Sequence, residues 1–115
     1  MIEQVLLNLF KNGIEAMSDV PVERRLLTLQ AQRVDERMLE IMVTDQGHGL
    51  AEEDVEKIFA PFYTTKAEGM GIGLAICRSI IEFHQGRLWV EPRREGGTVF
   101  HFTVPIEEVD EDGDE

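Results

Sequence analysis

The chain has 115 residues, 43% of them hydrophobic, which is enough for one domain with a modest core. A net charge of −12 and the lack of any basic stripe exclude nucleic acid as a partner. No run of about 18 apolar residues is available to cross a membrane, no secretory leader is visible at Met1, and Cys77 alone cannot found a disulfide framework, so a reducing cytoplasm is expected.

Residues 2–17 are expected to form a helix, because Ile2, Val5, Leu6, Leu9, Gly13 and Met17 recur on one face at helical spacing. Ser18-Asp19-Val20-Pro21 ends it. Residues 25–34 alternate, with Leu27, Leu29 and Ala31 against Thr28, Gln30 and Gln32. Residues 38–44 set Leu39, Ile41 and Val43 against Glu40. Joined near Asp35-Glu36, the two runs predict a β-hairpin. A short acidic helix over 52–58 follows, ended by Pro61, and then a glycine-rich loop. The next helix runs over 72–84 with Ile72, Ile76, Ile80 and Phe83 inward and Gly86 as its left-handed stop. Two further strands, over 87–91 and 98–104, are joined by a Gly96-Gly97 turn. The order α-β-β-α-α-β-β implies an α+β two-layer sandwich: a mixed sheet with helices packed on one face. Residues 106–115 carry seven acids and no base, and removing those charges from −12 leaves −5. They read as a solvated, disordered tail.

Four motifs carry chemistry. Asn8 and Asn12 project from one helix face a turn apart. Amide oxygens are hard neutral donors of the kind Mg²⁺ takes while it keeps phosphates and waters in its other positions. Asp45-Gln46-Gly47-His48-Gly49 closes an apolar strand. Its carboxylate can accept from an exocyclic amine, and its glycines let a flat ring approach the backbone. In Phe59-Ala60-Pro61-Phe62-Tyr63-Thr64-Thr65-Lys66 the aromatics at 59 and 62 read as the packed base of a loop, whereas Lys66 lies on a polar stretch where an ammonium can meet a phosphate. Gly69-Met70-Gly71-Ile72-Gly73-Leu74 opens a helix and frees backbone amides for an anion. It fits neither the dinucleotide fingerprint nor the Walker loop. Each motif alone is ordinary; together they supply a metal ligand, a base reader, a hinged lid and a phosphate cradle.

In order and spacing the four resemble the N, G1, F and G2 boxes of the ATP-binding catalytic domain of two-component sensor histidine kinases. That superfamily also holds gyrase-type topoisomerases, Hsp90-type chaperones and MutL-type repair proteins. The resemblance covers about residues 1–105, including Gly97-Thr98-Val99-Phe100 as the closing strand. It implies that Asn12 ligands Mg²⁺ with Asn8 assisting, and that Asp45 bonds the adenine amine while Gly47 and Gly49 make room for the ring. It implies too that Gly69, Gly71 and Gly73 present amides to the phosphates, and that Thr65, Lys66, Leu74 and Thr98 complete the ATP site. Thr64 stands where many members have an arginine, so Lys66 supplies the positive charge, as in the short-lid FixL and NtrB type. The strand before the N-box helix and the helical hairpin bearing the phosphoacceptor histidine are expected to be missing. His48, His84 and His101 do not fit the phosphoacceptor role and read as structural, and Cys77 reads as core.

The ATPase members of the superfamily place a general-base glutamate four residues before the metal-binding asparagine. Here that position is Asn8, whose neutral amide cannot accept a proton. General-base help is worth about 10²–10⁴-fold, so slow ATP hydrolysis is expected. An imidazole nucleophile already offers a lone pair. The resemblance therefore implies transfer of the ATP γ-phosphoryl group to a histidine on a separate dimerisation domain, with a response regulator downstream and no membrane contact by this stretch. Two alternatives stand beside it. A degenerate ATP-binding docking module would give no heat with ATP under any Mg²⁺ condition, and an ATPase of the topoisomerase or chaperone sort would turn ATP over steadily.

Overall fold

A computed structural model describes residues 2–47, 49, 51–59 and 73–106. Helix α1 (Ile2–Ala16) buries Val5, Leu9 and Gly13, and Met17 is buried just beyond its last turn. The stripe is the expected one, and Glu3 in the first turn complements the helix dipole. The helix closes through short-range bonds from Met17 N to Ile14 O (3.1 Å) and from Ser18 N to Glu15 O (3.2 Å). The Arg25 guanidinium then donates to Ser18 O (3.0 Å) and Val20 O (2.7 Å), which ties the exit loop to the strand that follows.

Strands β1 (Thr28–Arg33) and β2 (Met38–Asp45) form the expected hairpin, with Thr28 opposite Thr44 and Arg33 opposite Leu39. Arg37 N–H donates to Asp35 Oδ1 at 2.7 Å and fixes the turn. After Glu52–Asp54 and Lys57–Phe59 come helix α2 (Gly73–Phe83) and strands β3 (Leu88–Pro92) and β4 (Thr98–Pro105). The sheet order is β1-β2-β4-β3. The α+β sandwich is as expected; of the mixed sheet, every pairing among the described residues is antiparallel, since both hairpins and the central β2–β4 ladder run that way. Both helices contribute to one core with β2, β3 and β4, built from Val5, Leu9, Val43, Cys77, Ile81, Leu88, Val90, Phe100 and Phe102. Side chains of that size contribute about 1.5–3 kcal/mol each when fully buried. No helix among the described residues is long and apolar enough to cross a membrane.

Several expectations need correction. Leu29 is 53% exposed and Ala31 is exposed, although Leu27 is packed against the core. β1 is the edge strand, and α1 lies over β2 instead. The acidic helix over 52–58 is two single 3₁₀ turns. A segment that short recovers too few hydrogen bonds to offset α-helix nucleation. In α2 the inward residues are Leu74, Cys77 and Ile81, with Ile80 packed against the core as expected, while Ile76 is 48% and Phe83 77% exposed. Two apolar stripes share this helix, and periodicity alone selected the one rotated about 100° away. The left-handed residue after α2 is Gln85 (φ 69°), not Gly86. Gly86 is needed for proximity instead, because a Cβ there would stand 1.8 Å from Thr103 O. The inward placement of Ile72, the role of Pro61 and the 106–115 tail beyond Ile106 fall outside the described residues.

Candidate functional site

The covered face of β2 runs Ile41, Val43, Asp45, so the apolar row ends in a carboxylate that is only 3% exposed. Asp45 Oδ1 accepts the Gly47 N–H at 2.9 Å, which folds the chain back as it leaves the strand. Across the ladder Asp45 faces Thr98, also buried. Two tight backbone approaches hold this corner. A Cβ on Gly47 would lie 2.5 Å from Ala16 O at the end of α1, and one on Gly97 would lie 2.1 Å from Asp45 O. Gly97 also has φ 93°, where an L side chain is strained. Gly49 sits beside it, its Cβ position 3.5 Å from Gly97 N and O.

Helix α1 supplies the second wall. Gly13 faces the carboxylate, its Cβ position 3.4 Å from Asp45 Cβ and 3.8 Å from Oδ2. Asn12 and Asn8 lie on the adjoining, half-buried stripe. Asn8 Oδ1 is 3.8 Å from the Cβ position of Gly73, the first residue of α2. Cys77, one turn further along α2, is fully buried. Burial pushes its thiol up to about 11. Leu74 packs its side chain against the core, leaving only backbone to the site.

The structure groups Asp45 with Gly47, Thr98 and, through Gly97, Gly49 at one end of the sheet, with Gly13 of α1 against the carboxylate, and it sets Asn8, on the α1 stripe it shares with Asn12, beside Gly73 of α2. Thr65, Lys66, Gly69 and Gly71 lie outside the described residues, as do His48 and Phe62. Phe59 is buried beneath the Arg78 guanidinium (4.4 Å to the ring centroid), the packing role expected of it. Reading the sequence overlooked two contributors, Gly13 and Gly97, while Cys77 lies in the core as expected. For Gly13 a signal existed, because glycine inside a helix costs about 0.8–1 kcal/mol relative to alanine and implies a neighbour that needs the space.

An acceptor carboxylate beside backbone left open by glycines suits a flat amine-bearing base, and a helix N-terminus flanked by amide oxygens suits phosphate with a hard cation. Comparison with known proteins agrees. The model of the histidine kinase-, DNA gyrase B- and HSP90-like ATPase family matches residues 1–108. The chain is 49% identical to the sensor protein TdiS of Thauera aromatica over 91% of its own length and 19% of that protein. It is 45% identical to the sensor protein FixL of Bradyrhizobium diazoefficiens, over 90% and 20%. The chain thus spans about a fifth of the length of these relatives. Among solved structures it resembles the catalytic domain of the histidine kinase ThkA (TM-score 0.77, 42% identity, 90% of this chain and 65% of that one). It also resembles ThkA in complex with the response regulator protein TrrA (TM-score 0.73, 40% identity, 91% and 28%). This chain belongs to the histidine kinase-, DNA gyrase B- and HSP90-like ATPase family, whose ATP-binding domain it matches along nearly its whole length.

Proposed function

We propose that this chain is the ATP-binding catalytic domain of a sensor histidine kinase and supports transfer of the ATP γ-phosphoryl group to a histidine on a separate dimerisation domain. One observation supports the reading: helix α1 touches both parts of the site, with Gly13 against Asp45, which faces Thr98 across the sheet, and Asn8 beside the first residue of α2. In this reading Asp45 accepts the adenine amine, and Gly47, Gly49 and Thr98 shape its surroundings. Gly69, Gly71 and Gly73 present amides to the phosphates, with Thr65, Lys66 and the backbone of Leu74 beside them.

Asn12, assisted by Asn8, would hold Mg²⁺. The donor chemistry fits, since amide oxygens are hard and neutral and Asn8 Oδ1 stands by an open helix N-terminus. Bound Mg²⁺ supplies charge neutralisation on the phosphates. The chain's own contribution is positioning and fixed dipoles, which dominate phosphoryl transfer. Asn8 cannot take a proton, so the attacking histidine brings its own lone pair and any base comes from the acceptor domain. A response regulator is the proposed recipient downstream, supported by the solved ThkA–TrrA complex. A cytoplasmic setting accords with ATP use.

Titration calorimetry tests the reading. ATP should bind with an affinity that rises with Mg²⁺, and Asn12→Ala should lower the Mg²⁺-dependent gain by about 10–100-fold. The chain should not label itself with phosphate, and adding the phosphoacceptor domain should restore labelling. An unchanged Mg²⁺ response in Asn12→Ala would remove the metal assignment. An absence of heat with ATP would favour a docking domain, and steady turnover would favour an ATPase.

A further inference from the structure

We propose that the free edge of β1 is a self-complementary surface on which a second copy of this chain pairs, strand to strand and antiparallel, with Gln30 on the two-fold axis. The inference goes beyond the ATP reading, because none of the residues it uses is assigned to nucleotide. Among the described residues β1 and β3 are the edges of the sheet, and they are protected unequally. β3 ends in Glu91-Pro92, a charge and a proline that blunt an edge. The run Leu26–Gln32 on β1 holds no charge, no proline and no glycine. Every β1 residue from Leu29 to Arg33 is exposed, and so are Leu26 (56%) and Val34 (53%) beyond its two ends. Main-chain donors and acceptors along such an edge are a template for another strand.

The hairpin fixes which backbone groups face outward. Val34 N–H donates to Met38 O at 2.9 Å, and Arg33 stands opposite Leu39. Bonded positions alternate along an antiparallel ladder, so Thr28, Gln30, Gln32 and Val34 turn their N–H and C=O toward β2. Leu27, Leu29, Ala31 and Arg33 turn theirs to the open edge. Two copies must therefore pair through these four residues. An axis on Gln30 does so, with Leu29 opposite Ala31 of the second copy and Leu27 opposite its Arg33.

The flanking charges favour that axis over its neighbours. It sets Leu26 against Val34, Arg25 against Asp35, Arg24 against Glu36 and Glu23 against Arg37. An axis on Leu29 would oppose Arg25 to Arg33 and Glu23 to Asp35, and one on Ala31 would oppose Arg25 to Arg37. Like charges directly opposite are destabilising. Arg24 ends the 3₁₀ turn Val22–Arg24, so the outermost pairs are rim contacts between long side chains rather than ladder positions. Residues 23–37 carry four arginines and three acids, a net +1 in a chain of −12, so repulsion between copies is not concentrated here. A single strand pair is a small interface, which makes the association reversible and concentration-dependent.

Sedimentation equilibrium of the 115-residue chain should show monomer passing to dimer as concentration rises. Leu29→Lys puts a charge on the edge and should weaken the dimer about ten-fold or more. Arg24→Glu or Glu36→Arg alone strikes both halves of the symmetric contact and should weaken it about 3–10-fold. The double variant restores opposite charges and should return to within about two-fold of wild type. All three positions are exposed, so the circular dichroism of each variant should match wild type.

Oxidation with diamide reads the axis separately. Gln30→Cys should give a disulfide-linked dimer, since non-hydrogen-bonded partners in an antiparallel pair have Cα atoms about 4.5 Å apart. Thr28→Cys, opposite Gln32, should not, and Cys77 is buried. A chain that stays monomeric up to about 1 mM would overturn the proposal and leave the edge to a different partner. A dimer indifferent to Leu29→Lys, a double variant without recovery, or cross-linking at residue 28 as readily as at 30 would overturn it too. No nucleotide enters these measurements, so their failure leaves the proposed function standing.

Discussion

The two faces of the four-stranded sheet are built from alternate residues of the same strands and held together by different forces. On the helix-covered face, Val43, Phe100 and Val90 stand side by side, as do Ile41, Phe102 and Leu88, and exclusion of water does the work. On the opposite face, His101 of β4 reaches one carboxylate on each side: Nδ1 to Glu40 Oε2 of β2 at 2.7 Å and Nε2 to Glu91 Oε1 of β3 at 2.8 Å. Each ring nitrogen thus lies within hydrogen-bond reach of a carboxylate, and the histidine clasps the two flanking strands. Trp89 stacks on the same ring at 4.9 Å, and the Arg87 guanidinium lies 4.8 Å from Trp89. The site forms only where the covered row ends, at Asp45 and Thr98. Burial thus does two jobs on that face, holding the sheet and withdrawing one carboxylate from water, while the clasped face carries none of the residues assigned to ATP.

This contrast can be broken at three points. Phe102→Ala attacks the covered face and should lower unfolding free energy by about 3–5 kcal/mol in urea titration. A loss below about 1 kcal/mol would mean the helices do not grip the sheet as described. Gly97→Ala acts at the corner where the face becomes the site. Its positive φ and the 2.1 Å approach to Asp45 O should cost about 1–3 kcal/mol and weaken ATP binding as well. Loss of stability with full ATP affinity would separate the turn from the site.

His101→Ala on the clasped face should cost the least, about 1–2 kcal/mol, with ATP affinity unchanged. It should also alter the acid response. The His101 hydrogen bond holds the Glu40 carboxyl below its usual 4.5, against the opposing effect of burial, with Gln32 adding a smaller pull. A depressed folded value means that Glu40 contributes stability above pH 4.5 and loses it as pH falls through the folded value. Urea midpoints should drop below pH 4.5 in the wild type, and less steeply in His101→Ala. Identical acid slopes would mean the clasp is not felt.

Much of this was legible from residue order. The helix stripe through Val5, Leu9 and Gly13, both hairpins and the Gly96-Gly97 turn follow from periodicity and turn chemistry, because each is specified within a few residues. The phase of α2 was legible only at Ile80, since Ile76 and Phe83 are as apolar as Leu74, Cys77 and Ile81 and only the position of the sheet selects between them. β1 alternates like a half-buried strand, yet its place at the sheet edge leaves Leu29 in water. In the site, Asn8, Asp45 and Gly73 were identifiable as motif members because their residue types suit their chemistry. Gly97 was not, because it acts by the atoms it lacks.

The turn between the last two strands packs against the backbone of Asp45, so that a Cβ on Gly97 would meet Asp45 O. Arg93 braces that turn, its backbone N–H bonded to Gly97 O at 3.0 Å, its guanidinium to Gly96 O at 3.3 Å and its charge 3.4 Å from Glu95. On the function proposed above, the set of Asp45 can therefore be altered from residues 93–96, none of which is assigned to ATP.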